Sequence, residues 1–346
     1  MPFTVTLKPS GHQFSVPDGL GILRAGLDAG MMMPYSCQQG VCRTCRGTIV
    51  EGKVDYGDVH PSYLPDADKE KGFALLCSAR PLTDCVIEVR ELDGLAGLVP
   101  KLIPCRVMKI TKPTTDVAIL NLRLPMNENM RFLAGQYVEF ILKDGKRRAY
   151  SIANPPKVEG VIDLELHLRH SPGGVFTDHA FGKMKERDLL RMEAPLGTFY
   201  LREDSAKPII LLASGTGFAP IKSILEYSLV KGIQNQRPMT LYWGGRTKPD
   251  LYMMELAEQW AREQPNFKFI PVLSDATPEC NWTGRTGFVH RAVMADFTDM
   301  SGHQVYACGA PIVIDSARRD FVEDCKLPEE EFFADSFVTE AERAAI

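Results

Sequence analysis

Three cysteines crowd one short stretch, "CQQGVCRTC" from Cys37 to Cys45, and Cys77 follows in "ALLCSARP". Thiolates spaced C-x4-C-x2-C on one loop, completed by a fourth from elsewhere, are the ligand pattern of a plant-type [2Fe–2S] cluster. Gly40 gives the loop a position free enough to turn its sulfurs inward. Zinc would rather use two C-x2-C pairs or Cys/His pairs, and the sequence offers no second pair. The expected metal ligands are therefore Cys37, Cys42, Cys45 and Cys77, with Cys85 as the one competitor for the fourth place. Cys85, Cys105, Cys280 and Cys325 read as small buried hydrophobes.

Other residues could hold organic cofactors. In "GKRRAYSIAN", Arg148 can pair with a phosphate, Tyr150 can lay its ring on an isoalloxazine and Ser151 can hydrogen-bond the ring edge. Taken alone, the same residues describe a strand ending in a surface arginine equally well. "HSPGGVFTDHAF" sets Gly173 and Gly174 before Val175, Phe176 and Thr177 at an apparent helix start, where N–H groups and the Thr177 hydroxyl could bind a pyrophosphate. "KPIILLASGTGFAPIKS" gives an apolar strand, a Gly215-Thr216-Gly217 turn and a helix begun by Pro220, half of a nucleotide-binding βαβ unit without the third fingerprint glycine. Arg246 and Lys248 in "GGRTKPDLY" could meet a 2′-phosphate, and Asp250 a ribose. No acid–base pair or triad is evident, and the seven histidines form no ligand motif. His167 and His170, close to the flavin segments, read as exposed or core histidines.

These residues need elements to hold them. "FTVTLKPSGHQFSV" alternates as two strands, a helix begins near Leu20, and "GTIVEGKVDY" and "VIEVREL" supply later strands around the cysteine loop. Beyond the Gly/Pro-punctuated connector "ELDGLAGLVPKLIP", the segments "CRVMKITKPT", "VAILNLRLP" and "QYVEFIL" suggest an antiparallel barrel. Strands alternating with helices then suggest a parallel α/β sheet. The expected architecture is multidomain: a cluster domain over 1–92, an antiparallel β-barrel over 103–202 and an α/β nucleotide domain over 203–346. The 346 residues, 45% hydrophobic, are enough for several cores. A net charge of −4 gives no electrostatic reason to expect nucleic acid or an anionic membrane surface. The N-terminus lacks the basic and apolar regions of a signal peptide, and no apolar run could span a bilayer, so a cytoplasmic location is expected. In a reducing compartment, nine cysteines argue for metal or redox chemistry.

The first 90 residues resemble a plant-type ferredoxin domain, a small β-grasp fold. Arg43 departs from that pattern, since many members have glycine after the second cysteine. Nine basic and ten acidic residues in this stretch make it near-neutral, whereas free-standing ferredoxins of the type tend to be strongly acidic. Near-neutrality suits a cluster fed from within its own chain. The order Arg-x-Tyr-Ser, Gly-rich turn, Gly-Thr-Gly-x-x-Pro and late Cys-Gly in "VYACGAP" resembles the ferredoxin-NADP reductase family. By that resemblance Arg148, Tyr150 and Ser151 hold FAD, Gly174 and Thr177 contact its pyrophosphate, and Gly215, Thr216 and Gly217 face the nicotinamide nucleotide, with Cys308 and Gly309 beside it. Relatives ending in F-x-x-D-x-F place an aromatic over the flavin, which implies that role for Phe337 in "EEEFFADSF", while Phe332 and Phe333 read as core. The implied activity is hydride transfer from NADH, with NADPH the alternative, to FAD, followed by single electrons through the [2Fe–2S] cluster to a partner protein. An oxygenase component of the Rieske or diiron type is the expected partner. The alternatives are a CDP-6-deoxyhexulose dehydrase, a flavin or quinone reductase activity, or a zinc-cysteine interaction protein.

Overall fold

The computed structural model describes residues 2–92 and 98–337. The chain divides into two compact units, one over 1–99 and one over 100–340.

In the first unit the strands are β1 (Phe3–Lys8), β2 (Gln13–Val16), β3 (Arg46–Glu51), β4 (Val54–Asp55), β5 (Phe73–Leu75), β6 (Arg80–Pro81) and β7 (Cys85–Glu88), with helices α1 (Ile22–Asp28) and α2 (Asp66–Glu70). The main sheet runs β2-β1-β7-β3-β5, and β4 pairs with β6. Alternation in β1 sends Val5 and Leu7 fully inward, while its threonines face away. Within the stretch from Gly47 to Tyr56, β3 and β4 are separated at Gly52, whose φ of 94° and whose approach to Asp84 O leave no room for a side chain.

The second unit begins with the barrel: β8 (Lys101–Thr111), β9 (Val117–Arg123), β10 (Tyr137–Ile141), β11 (Arg147–Ser151), β12 (Asp163–Arg169), α3 (Val175–Gly182) and β13 (Leu189–Leu196). Its sheet order is β11-β10-β13-β8-β9-β12, antiparallel throughout. A bridge between Ile152 and Leu166 brings the two edges together, which removes the open edges a flat sheet would expose. The interior is filled by Val107, Leu120, Phe140, Leu166 and their neighbours.

The remaining elements are β14 (Ile209–Ser214), α4 (Phe218–Lys231), β15 (Met239–Gly245), α5 (Met254–Glu263), β16 (Phe267–Leu273), β17 (Arg285–Thr286), α6 (Val289–Asp296), β18 (Gln304–Gly309), α7 (Pro311–Glu323) and β19 (Phe332–Ser336). Their sheet, β17-β16-β15-β14-β18-β19, is wholly parallel. Buried on both faces, β14 is a continuous apolar run, "IILLAS". The helix expected to begin at Pro220 starts two residues earlier, because a 3-10 turn over Gly215–Gly217 runs straight into it. It ends at Gly232 in the left-handed conformation, the usual stop for a helix. Because β15 and β18 flank β14, the strand order reverses beside β14, and the crevice beyond the strand ends there is where such sheets bind ligands.

Candidate functional site

The loop from Cys37 to Cys45 and the turn at Cys77 gather four thiols in two pairs, Cys37 with Cys42 and Cys45 with Cys77. Left-handed backbone at Gln38, Gly40 and Arg43 makes the loop curl. A Cβ on Gly40 would lie 3.0 Å from Ser78 Oγ and crowd the second ligand-bearing segment, and the left-handed φ of 74° also favours glycine there. Arg43 adopts its φ of 59° without being glycine, and its Nη2 donates to Ser62 O at 2.5 Å. The hydrogen bond from Cys37 draws the Cys42 thiol down to about 6 against the effect of burial, with Thr44 helping. Cys77 is lowered in the same way by Cys45, with Ser78 also contributing, while Cys37 and Cys45 are pushed up by their pair partners and by burial. Within each pair the hydrogen bond lowers one thiol, Cys42 or Cys77, toward the thiolate form that metal ligation needs. Among the described residues no group of three or more His, Cys, Asp or Glu is set around a single metal ion. Four thiols in two pairs match the four thiolates that a [2Fe–2S] cluster takes. Cys85 takes no part: its thiol donates to Thr83 O at 3.2 Å, in β7. Cys85, Cys105 and Cys325 are buried as expected, but Cys280 is half-buried and donates to Thr277 O.

Tyr150 and Ser151 end β11, beside the start of α3. The Tyr150 ring lies 5.2 Å from that of Phe176, which in turn stacks on Phe140 at 4.7 Å. Ser151 Oγ is buried and has no hydrogen-bond partner, a deficit that a flavin edge would relieve. At the Gly-rich turn Gly173 has a φ of 84°, and its N–H is engaged by Asp178 Oδ2. The Gly174 N–H is engaged by Ser171 O, and the Thr177 hydroxyl donates to that same carbonyl at 2.9 Å. The N–H groups of Val175, Phe176 and Thr177 precede the first intrahelical bond, which the Asp178 N–H makes to Gly174 O.

At the crevice beyond β14, a Cβ on Gly217 would sit 2.1 Å from Cys308 O, and one on Gly309 would sit 2.5 Å from the Ser214 Cβ. The Gly215-Thr216-Gly217 turn and the Cys308-Gly309 strand end are thus packed backbone to backbone. Trp243 stacks on Phe218 at 3.8 Å and donates from Nε1 to Gly215 O at 3.0 Å. Cys308 is fully buried, and burial pushes its thiol well up, with Asp335 adding to the effect. Phe332 is buried and Phe333 packs on Tyr306, both core as expected. Phe337 is half-buried beyond β19, its N–H donating to Gly309 O.

Arg246 is exposed, but Asp250 is not available as a free carboxylate. Its Oδ2 accepts from the Arg246 and Thr247 N–H groups, and its Oδ1 accepts from Arg169 Nη2 at 2.5 Å. It closes a capping box over the turn that carries Arg246 and Lys248.

Sequence reasoning misses two features. Asp335 pairs in register with Cys308; the aromatics of "FFADSF" draw attention away from the acidic residue that stands between them. His167 is neither idle nor exposed: its side chain is fully covered, Nδ1 lies 2.7 Å from Tyr252 Oη and Nε2 lies 2.9 Å from Glu165 Oε1. Alternation along "LELHLR" places Glu165, His167 and Arg169 on one face, and that spacing is the signal by which the row could be found.

Family models match three stretches: a 2Fe-2S iron-sulfur cluster binding domain over 5–82, an oxidoreductase FAD-binding domain over 104–200 and an oxidoreductase NAD-binding domain over 211–319. A CDP-6-deoxy-L-threo-D-glycero-4-hexulose-3-dehydrase reductase from Yersinia pseudotuberculosis is 40% identical over 98% of this chain and 99% of its own. The phenol 2-monooxygenase reductase component of a Pseudomonas species is 34% identical over 99% of this chain and 97% of its own. The crystal structure of the Amycolatopsis cytochrome P450 reductase superposes with a TM-score of 0.76 at 32% identity, covering 97% of this chain and 99% of that one. No helix among the described residues is long and apolar enough to cross a membrane. With thiol loop, flavin barrel and parallel nucleotide sheet following one another as in these relatives, the chain belongs to the ferredoxin-NADP reductase family, among its 2Fe-2S flavoprotein members that reduce a separate redox partner protein.

Proposed function

We propose that the chain takes hydride from NADH and delivers single electrons to the terminal component of a multicomponent oxygenase. One observation carries the reading: the paired thiols stand on the same chain as the flavin barrel and the nucleotide sheet, so one polypeptide serves a two-electron donor and a one-electron carrier. Bound FAD supplies the conversion between hydride and single electrons, and the cluster supplies the one-electron carrier. Arg148 pairs with a flavin phosphate, Tyr150 lies against the ring, and the orphaned Ser151 hydroxyl bonds its edge. The N–H groups of Val175, Phe176 and Thr177 receive the pyrophosphate, and Thr177 holds the preceding turn through Ser171. Gly215, Thr216 and Gly217 leave the backbone bare where the nicotinamide enters, with Cys308 and Asp335 behind it. Phe337 would supply an aromatic face to the flavin ring, and a nicotinamide would have to move past it. Arg246 and Lys248, both exposed, are the candidates to meet a 2′-phosphate, and Asp250, the candidate for a ribose, holds their turn. Cys37, Cys42, Cys45 and Cys77 ligate the cluster.

The acceptor is tested by measuring NADH consumption by the holoprotein with an isolated Rieske or diiron oxygenase component. Stimulation supports the reading, and no stimulation beyond that given by free quinone would replace it with a general quinone reductase. A second acceptor, the pyridoxamine-dependent dehydrase of a deoxyhexulose system, is favoured by the 40% identity to such a reductase. Stimulation by the dehydrase alone would establish it.

A further inference from the structure

Strand β12 divides its residues by face. Leu164, Leu166 and Leu168 enter the barrel core. Glu165, His167 and Arg169 point the other way, and each reaches a different segment of the nucleotide-binding half. Glu165 Oε1 accepts from Lys222 Nζ at 3.1 Å, in the helix that follows the Gly215–Gly217 turn. His167 meets Tyr252 at 2.7 Å. Arg169 pairs with Asp250. These contacts extend over roughly 13 Å of strand.

The strip is internally consistent in its protons. Glu165 is held down to about 2, its bonds to His167 and Lys222 outweighing burial, so it is a carboxylate that only accepts. Burial lowers His167, which is therefore neutral and carries its proton on Nε2, toward Glu165. Nδ1 is then an acceptor, and burial keeps the Tyr252 phenol protonated as its donor. Lys222, itself buried, is shared with Glu226 Oε1 at 2.9 Å and Ala153 O at 3.4 Å. Every polar group in the row from Lys222 to Tyr252 has a partner, which gives such a network one geometry rather than several.

Its far ends are at the reaction site. Ala153 follows Ser151 by two residues. The Tyr252 ring stands edge-on to Trp243 at 5.3 Å, and Trp243 holds the Gly215 carbonyl. A row anchored on the flavin strands at one end and on the nicotinamide turn at the other fixes the spacing between them. Hydride transfer is sensitive to that spacing, since a misplacement of about 1 Å can cost about a hundredfold in rate.

We propose that the outward face of β12 is a registration strip for hydride transfer, with His167 and Tyr252 as positioning residues that set the nicotinamide against the flavin. The inference rests on the reading of the chain as a nicotinamide–flavin reductase. The test is anaerobic stopped-flow reduction of the holoprotein by saturating NADH, for wild type, Tyr252→Phe, His167→Phe and His167→Gln. Tyr252→Phe is isosteric and keeps the fold even if a histidine variant does not. Expected are full FAD and cluster absorbance, unchanged NADH affinity, a weakened long-wavelength charge-transfer band and flavin reduction slowed about tenfold in Tyr252→Phe and His167→Phe. His167→Gln, which can still donate and accept, recovers most of the rate. Wild-type reduction rates in Tyr252→Phe overturn the proposal, as does a rate loss that scales only with lost FAD. If wild type itself is not reduced by NADH, the functional reading falls instead.

Discussion

Ser151 is a buried hydroxyl without a partner, and such a group destabilises a fold unless a ligand satisfies it. Replacing it by alanine removes the unmet polar atom and costs the ligand-free protein nothing, but it takes one hydrogen bond from the flavin edge. Ser151→Ala should therefore leave the thermal midpoint of the apoprotein unchanged or slightly higher and slow flavin reduction by about fivefold, since about 1 kcal/mol per bond is about a factor of five. An unchanged reduction rate would remove Ser151 from the site. The cysteines separate by the same kind of local accounting. Cys77 forms a pair with Cys45, whereas Cys85 is bonded to backbone carbonyls. Visible absorbance and low-temperature EPR should show the cluster lost in Cys77→Ser and retained in Cys85→Ser; the reverse result would exchange the two assignments. Spacing makes the four thiols legible from the sequence alone. In the sequence Asp250 suits a ribose, and only the fold reveals that its Oδ2 holds the turn it caps while its Oδ1 accepts from Arg169 of β12.

At the scale of elements, two strand ends meet where β14 and β18 stop, and Gly217 is the point of closest approach. A Cβ there would lie 2.1 Å from a backbone carbonyl, which cannot swing aside as a side chain can. Gly217→Ala should lower stability by about 2–4 kcal/mol, measured by denaturant unfolding of the holoprotein. A milder loss would mean the two strand ends separate easily. The outward face of β12 sets a pH dependence. Glu165 and His167 both titrate lower in the folded chain than their ordinary values of 4.5 and 6.5. Each therefore contributes stability that is present above its ordinary value and lost as pH falls toward its folded value, beginning near 6.5 with His167. Burial makes protonation of the ring costly and the Lys222 charge adds to that cost, while the Glu165 carboxylate works against it. The thermal midpoint should drop between about pH 7.5 and about pH 5.5, and drop less in His167→Gln, which cannot take up the proton. Equal slopes in the two proteins would show that His290 and His303, also lowered by burial, carry the effect. The strands and the turns between them are readable from alternation and glycine placement. The polar row is not, because its partners at 222, 226 and 252 lie far along the chain and no local pattern announces them.

At the scale of the whole molecule, the order of parts separates two kinds of acceptor. An acceptor that takes electrons directly from flavin needs the barrel and the parallel sheet alone, whereas a one-electron partner protein served by the cluster needs the thiol loop as well. The barrel and nucleotide sheet form one compact unit and the cluster loop belongs to the other, so loss of a thiol removes no contact made within the unit that holds the flavin and nucleotide segments. Cys77→Ser should therefore keep NADH-dependent ferricyanide reduction within about twofold of wild type while losing reduction of a one-electron protein acceptor such as cytochrome c by more than about tenfold. Both rates are read from one preparation, with FAD content as the common reference. Parallel loss of the two would mean that the flavin site depends on the cluster for its integrity. Retention of both would mean that electrons leave from the flavin, and the four thiols would then need another purpose.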